Sequence, residues 1–237
     1  MASPIRAILF DKDGTLLDFE ATWGGVAEAT IRHLAPDAGS AAAMAEAAGY
    51  DPATKRFRAG SAIVAGASHE VARLWARWRP DLGTEAIEAY LNTLSIETSG
   101  PATLVPAVPE MAGLLGRLKA SGLALGVATH DSEQAARAQL HELGVLSLFS
   151  FIAGYDSGYG LKPGPGMLRA FASATGIAVT EIAMVGDSIH DLAMIANAGG
   201  GLAVGVLSGP AGADDLSEHA DHILPSIAGL PALLDLD

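Results

Sequence analysis

Short apolar runs recur along the chain, and each stops abruptly at polar residues. Ile5 to Phe10 leads into Asp11-Lys12-Asp13-Gly14, Leu123 to Ala128 ends at Thr129, and Ile182 to Val185 ends at Gly186-Asp187. Leu202 to Leu207 has the same form, and Phe151 to Ala153 is a weaker fifth run. Continuous runs of this length suit strands buried on both faces. Between them the period becomes helical. Pro109 to Ala120 carries Met111, Leu114, Leu115 and Leu118, with Gly122 at the stop. Ser132 to Leu143 and Gly166 to Ala174 read as further helices. Strands that alternate with helices predict βαβ units and a parallel sheet, an α/β protein.

Residues 17–101 break that alternation directly after the first strand. They hold helical patterns at Ala21 to Leu34, Ser40 to Ala48, Ser68 to Trp78 and Thr84 to Thr98, and no convincing strand. The reading is a helical domain inserted between strand one and the rest of the sheet.

Composition narrows the function. Half of the 237 residues are hydrophobic and 17% are charged, the profile of a globular protein. A net charge of −13 argues against a nucleic-acid binder, since phosphate backbones need a basic face. It still permits a small phosphorylated substrate held by one local cationic cluster. With no cysteine, disulfides and thiolate metal sites are excluded. Ala7 to Phe10 is too short for a signal-peptide core. Leu192 to Ala213 is uncharged, but Asn197, Gly199-Gly200-Gly201 and Pro210 argue for a helix end, a strand and a loop, not a membrane span. The expectation is a soluble, cytoplasmic chain, monomer or homodimer, with no nucleic-acid or membrane partner.

In an open α/β sheet, ligands bind beyond the carboxyl ends of the strands. Asp11 and Asp13, Thr129, and Asp187 with Asp191 all fall there. Two carboxylates two residues apart repel unless a cation or a shared proton offsets them. A hard divalent ion with oxygen ligands, magnesium, suits such a pair. Asp11 is then placed to attack phosphorus, and Asp13 to protonate a leaving oxygen and later activate water. Asp187 reads as a cap of the following helix, with Asp191 on the same side four residues on. That pair adds one direct and one outer metal ligand. Lys162, in Gly160-Leu161-Lys162-Pro163-Gly164-Pro165, can put a point charge on phosphate and nucleophile, and the Thr129 hydroxyl can donate to phosphate. Each also has a plain structural reading: turn former, helix cap, solvated loop lysine, strand terminus.

The ordered set resembles the haloacid dehalogenase superfamily. Asp11-Lys12-Asp13-Gly14-Thr15 is similar to its first motif, Thr129 to the second, Lys162-Pro163 to the third, and Gly186-Asp187-Ser188 through Asp191 to the fourth. The branch most similar is the phosphoglycolate phosphatase-like one. The resemblance implies a Rossmann-like three-layer core at 1–16 and 102–237 with a helical cap at 17–101. It also implies a magnesium-dependent phosphatase for a small, phosphoglycolate-like phosphomonoester, working through an aspartyl-phosphate. Asp11 would be nucleophile and Asp13 acid/base, with Thr129, His130 and Lys162 on the phosphoryl group. Asp11, the Asp13 carbonyl and Asp187 would hold magnesium, and Asp191 would support the metal shell or Lys162. A phosphomutase of the same family and a non-catalytic phosphometabolite binder remain as alternatives. One departure stands out: Asn usually follows the second motif, and this chain has His130, whose bulkier, titratable ring is read as facing the ligand. It weakens phosphoglycolate itself as the assignment.

Other conspicuous side chains read as structural. Trp75 and Trp78 with Arg73 and Arg77 suit an amphipathic helix with snorkelling arginines rather than a substrate-reading face. Trp23, ten positions past Asp13, reads more readily as cap packing than as a cleft residue. His219 and His222 read as surface residues, and His190 as pointing away from Asp187 and Asp191.

Overall fold

A computed structural model describes residues 5–97, 100 and 103–236. In chain order, β1 (Ala7–Phe10) leads into the helices α1 (Phe19–Leu34) and α2 (Ala38–Ala48). A small hairpin follows, β2 (Tyr50–Asp51) and β3 (Arg56–Phe57), then α3 (Ala62–Ala65), α4 (Ser68–Trp75) and α5 (Gly83–Glu97). The alternating part resumes with α6 (Met111–Ala120), β4 (Ala124–Ala128), α7 (Glu133–Glu142), β5 (Phe151–Ala153) and α8 (Gly166–Thr175). It closes with β6 (Ile182–Gly186), α9 (Ile189–Ala198), β7 (Leu202–Val206), α10 (Ala213–Leu216), β8 (His222–Leu224) and α11 (Leu230–Leu233).

Six strands form one parallel sheet in the order β5-β4-β1-β6-β7-β8. Successive residues of β1 point to opposite faces. Ile8 and Phe10 pack with Leu114, Leu118 and Leu140 on one side. Ala7 and Leu9 pack with Leu168, Phe171 and Leu192 on the other. Burial on both faces explains why these strands read as unbroken apolar runs. The result is the Rossmann-like three-layer arrangement that the motifs implied.

The segment between β1 and α6 has its own core, with Ile31, Leu34, Met44, Trp75 and Ile87 buried together. Asp18 and Asp37 cap its first two helices by accepting from the N–H groups of Ala21 and Ser40. The chain enters and leaves this insert along adjacent paths: Asp18 N–H donates to Val105 O and Ala107 N–H to Leu16 O. Its hairpin corrects the reading of no strand there. Each strand has two residues, too few to show alternation, and they pair across a turn in which Lys55 has φ 58°. Edge strand β8, three residues long and partly exposed, also carried no pattern. The end of the expected helix at Thr98 and the expected boundary at 101/102 lie outside the described residues. Among the described residues no helix is long and apolar enough to cross a membrane. Residues 192–213 divide into the end of α9, β7 and a loop, as expected.

Candidate active site

The three strands with the clearest polar ends lie side by side, β4 and β6 flanking β1. The chain leaves β1 for β4 and β5 on one side, then returns to β6 on the other, so Asp11 sits where the winding reverses. Hydrogen bonds fix the strand ends: Asp11 N–H donates to Val185 O at 2.8 Å, and Thr129 N–H to Ala153 O at 2.9 Å. Lys162 comes from the loop before α8. Its ammonium donates to Asp11 Oδ1 and Asp191 Oδ1, both at 2.6 Å, and to Ala128 O at 3.2 Å. Thus four residues separated by up to 180 positions in sequence converge in one buried cluster.

Burial opposes charge here. It pushes the Asp11 carboxyl up; Lys162 pulls down, Asp191 and Asp13 push up again, and the result is about 7 against an ordinary 3.8. Burial, then Asp11 and Asp191, also raise the Asp187 carboxyl. Burial alone would lower the Lys162 ammonium, but Asp11 and Asp191 outweigh it and hold it above its ordinary value. Ligand oxygens of Asp11, Asp187 and Asp191 lie within 4.8 Å of one another. Three carboxylates face one ammonium, and Asp187 has no ion pair among the described residues. An all-oxygen, electron-rich set of this kind fits a hard divalent cation. Gly14 and Gly209 shape the cradle: a Cβ on either would collide with the Asp187 carboxylate, and Gly14 has φ 89°. Both Asp191 oxygens are engaged by protein donors. Oδ1 accepts from Lys162, and Oδ2 from the Ser188 N–H at 3.1 Å and hydroxyl at 2.6 Å. Ser188, rather than Asp187, therefore caps α9, which leaves Asp187 turned to the cluster.

Asp13 stands apart from that cluster. Its Oδ1 accepts from the Trp23 indole N–H at 2.7 Å, and its Oδ2 pairs with Lys12 at 2.5 Å. Trp23 thus lines the cleft while also packing against the insert's core. Lys12 is fully buried. It also meets Asp131 at 3.3 Å and Gln139 Oε1 at 2.5 Å, and lies 5.5 Å from the Trp23 ring centre. Desolvation alone would lower its ammonium, but Asp13 and Asp131 reverse this and raise it. Ser95 of α5 extends the network by donating to Asp131 Oδ2 at 2.7 Å. None of Lys12, Ser95, Asp131, Gln139 or Gly209 was singled out from sequence. A lysine inside an apolar-bounded motif was the one available signal.

His130 lines the cleft, and its Nε2 accepts the Lys162 backbone N–H at 3.0 Å. Thr129 is buried, and its hydroxyl oxygen accepts the Asp131 N–H at 3.1 Å. Trp75 is buried in the insert's core with its N–H on Met44 O, and it also lines the cleft, while exposed Arg77 lies over Trp78. His219 and His222 are exposed. His190 does not line the cleft, although its ring lies 6.1 Å from that of His130.

Comparison with known proteins agrees with this geometry. A family model for haloacid dehalogenase-like hydrolases matches residues 5–199. A phosphoglycolate phosphatase of Rhodospirillum rubrum is 32% identical over 82% of this chain and 76% of its own length. One from Chromobacterium violaceum is 32% identical over 97% of this chain and 96% of its own. A solved structure, a predicted phosphoglycolate phosphatase of Haemophilus somnus, superposes with a TM-score of 0.75 at 20% identity, over 98% of this chain and 99% of that one. The chain therefore belongs to the haloacid dehalogenase-like hydrolases. Within them it is a phosphatase of the phosphoglycolate phosphatase-like branch.

Proposed function

We propose that the chain is a magnesium-dependent phosphohydrolase acting, in the cytoplasm, on a small phosphomonoester of about phosphoglycolate's size. The observation that carries this reading is the buried Asp11 carboxylate. It ends the central strand, is held by Lys162 at 2.6 Å, and faces an interdomain cleft.

Asp11, the Asp13 carbonyl and Asp187 would hold the ion, with Asp191 orienting Lys162 behind them. The ion, when bound, supplies positive charge that offsets the carboxylates and the phosphoryl oxygens. Lys162 and the Thr129 hydroxyl bind those oxygens. An Asp11 oxygen attacks phosphorus, the bond to the leaving oxygen breaks, and Asp13 protonates that oxygen. Asp13, now a carboxylate, takes a proton from water. The water oxygen displaces phosphate from Asp11, and both residues return to their starting states. Lys12 and Trp23, bonded to the two Asp13 oxygens, orient it for both transfers. His130 holds the backbone of Lys162 and so positions the ammonium. Residues 1–16 and 102–237 form the catalytic core, and 17–101 a cap that covers the cleft and excludes bulk water. The adjacent crossings at 16–18 and 105–107 support that division.

The test is turnover of phenyl phosphate by the whole protein. Turnover is expected with magnesium and not in excess chelator, and Asp11→Asn is expected to abolish it. Full turnover in chelator would refute the metal, and full turnover by Asp11→Asn would refute the nucleophile.

A further inference from the structure

The cleft has two unlike sides. On the sheet side lie the acidic cluster and Lys162; on the other lies a wall built by the insert. The cavity between them is about 160 Å³, comparable with the roughly 150 Å³ apolar cavity that accepts a benzene ring. Whatever the phosphoryl group is attached to must lie against the insert's wall.

That wall is apolar. Val26, Ile63, Val64, Val71, Leu91 and Leu94 face the cavity. Apart from the Ser68 hydroxyl, its polar side chains are engaged elsewhere. The Thr30 hydroxyl donates to Val26 O, the Trp75 indole to Met44 O, and the Ser95 hydroxyl to Asp131. The insert contains one lysine and six arginines, and none of them lines the cavity among the described residues. Arg32 and Lys55 pair with Glu28, Arg56 with Glu20, Arg58 with Glu46 and Arg79 with Asp81. Arg73 and Arg77 are exposed. Residues 98–99 and 101–102 include no basic side chain. The start of α4, a potential anion seat, is met by its own Glu70, which accepts the Ala67 N–H at 3.0 Å. On the sheet side, Lys162 already serves two carboxylates.

A carboxylate on the leaving group would therefore meet no cation on the wall and would lie near acidic side chains, an arrangement that disfavours binding. An alkyl or aryl group there would exchange water for apolar contacts. We infer that the substrate is the phosphomonoester of a neutral, apolar alcohol, and that the cleft selects against leaving groups carrying a carboxylate. The inference rests on the phosphatase reading above and specifies its substrate class.

Isobutyl phosphate and 2-phosphoglycolate offer a near-isosteric pair, two methyl groups against two carboxylate oxygens. With magnesium and the wild-type protein, kcat/KM is expected to be at least about tenfold higher for isobutyl phosphate. Along methyl, ethyl, propyl and butyl phosphate it should climb by about fourfold per methylene, from the transfer free energy of a CH₂ group, until the cavity is filled. Equal or better turnover of 2-phosphoglycolate would overturn the inference and leave the phosphatase reading standing. Failure to hydrolyse isobutyl phosphate, 2-phosphoglycolate and phenyl phosphate alike would overturn that reading, and the inference with it. Val26→Lys adds a cation at the wall and should shift the ratio toward 2-phosphoglycolate by about tenfold or more. An unchanged ratio in an active variant would show that the leaving group lies elsewhere, and would also overturn the inference.

Discussion

The strand ends and the wall that faces them are opposites. At the strand ends, charge is buried and heavily constrained. Lys162 joins Asp11 and Asp191, Lys12 joins Asp13 and Asp131, and each carboxylate oxygen of Asp191 has a donor. Across the cleft, no charged side chain of the insert lines the cavity among the described residues, and the cavity's shape comes mostly from aliphatic and aromatic side chains. The difference separates two tasks. A phosphoryl group is recognised by charge and directed donors, which only rigid elements hold in register. A leaving group is recognised by surface and volume, which helices of a separate layer can vary without disturbing the chemistry.

The sharpest way to break the comparison is to remove charge from the sheet side. Asp11→Asn should lower kcat by more than about 10³-fold while circular dichroism shows the fold retained, because an amide has nearly the same shape and is a poor nucleophile. A beryllium fluoride adduct, seen crystallographically, should sit on Asp11 in the wild type and be absent from the variant.

Lys12→Met comes next. It leaves the partly buried Asp13 and Asp131 without their shared, fully buried cation, and the expected cost is roughly 3–5 kcal/mol of unfolding free energy in urea. An equivalent truncation on the cap wall, Val64→Ala, should cost roughly 0.5–2 kcal/mol. Similar losses from the two would show that the buried network is not held as described.

Titration gives a third contrast. Asp11 sits at about 7 in the folded chain against 3.8 ordinarily. Between those values the folded protein holds more protons than the unfolded one. Through Asp11, stability in chelator should therefore fall as pH rises from about 4 to about 7. Magnesium should favour the ionised carboxylates and flatten that fall. Melting temperatures across pH, with and without magnesium, would show it, and a curve unaffected by the ion would remove the cation from the cluster.

The smallest effect is expected at His130. His130→Ala loses the acceptor for the Lys162 N–H and should reduce kcat/KM by the equivalent of about 0.5–1.5 kcal/mol. His130→Asn supplies a carbonyl acceptor and should recover most of it. Steady-state kinetics of both variants decides whether His130 acts through Lys162 or through the substrate.

Much of the sheet side was legible in the sequence, because its signals are local. Each central strand is a continuous apolar run, since it is covered on both faces, and each ends in a residue whose chemistry is visible within two or three positions. Asp11, Asp13, Thr129, Asp187 and Asp191 were found that way and Lys162 from its Lys-Pro loop segment, and the structure brings all of them to one cleft. Helices of the insert were legible for the same reason, while the hairpin β2–β3 and the edge strand β8 were too short to show a period. What only the tertiary structure decided involves partners far apart in sequence. Nothing local to Lys12 shows that Gln139 and Asp131 close over it, 127 positions away in the first case. Trp23 became a partner of Asp13, and His130 a support of Lys162, because helix packing and loop closure set directions that a residue's type does not contain. The apolar wall is the clearest instance. Its side chains resemble any helix core in sequence, and packing alone determined which of them face one another and which face the cleft.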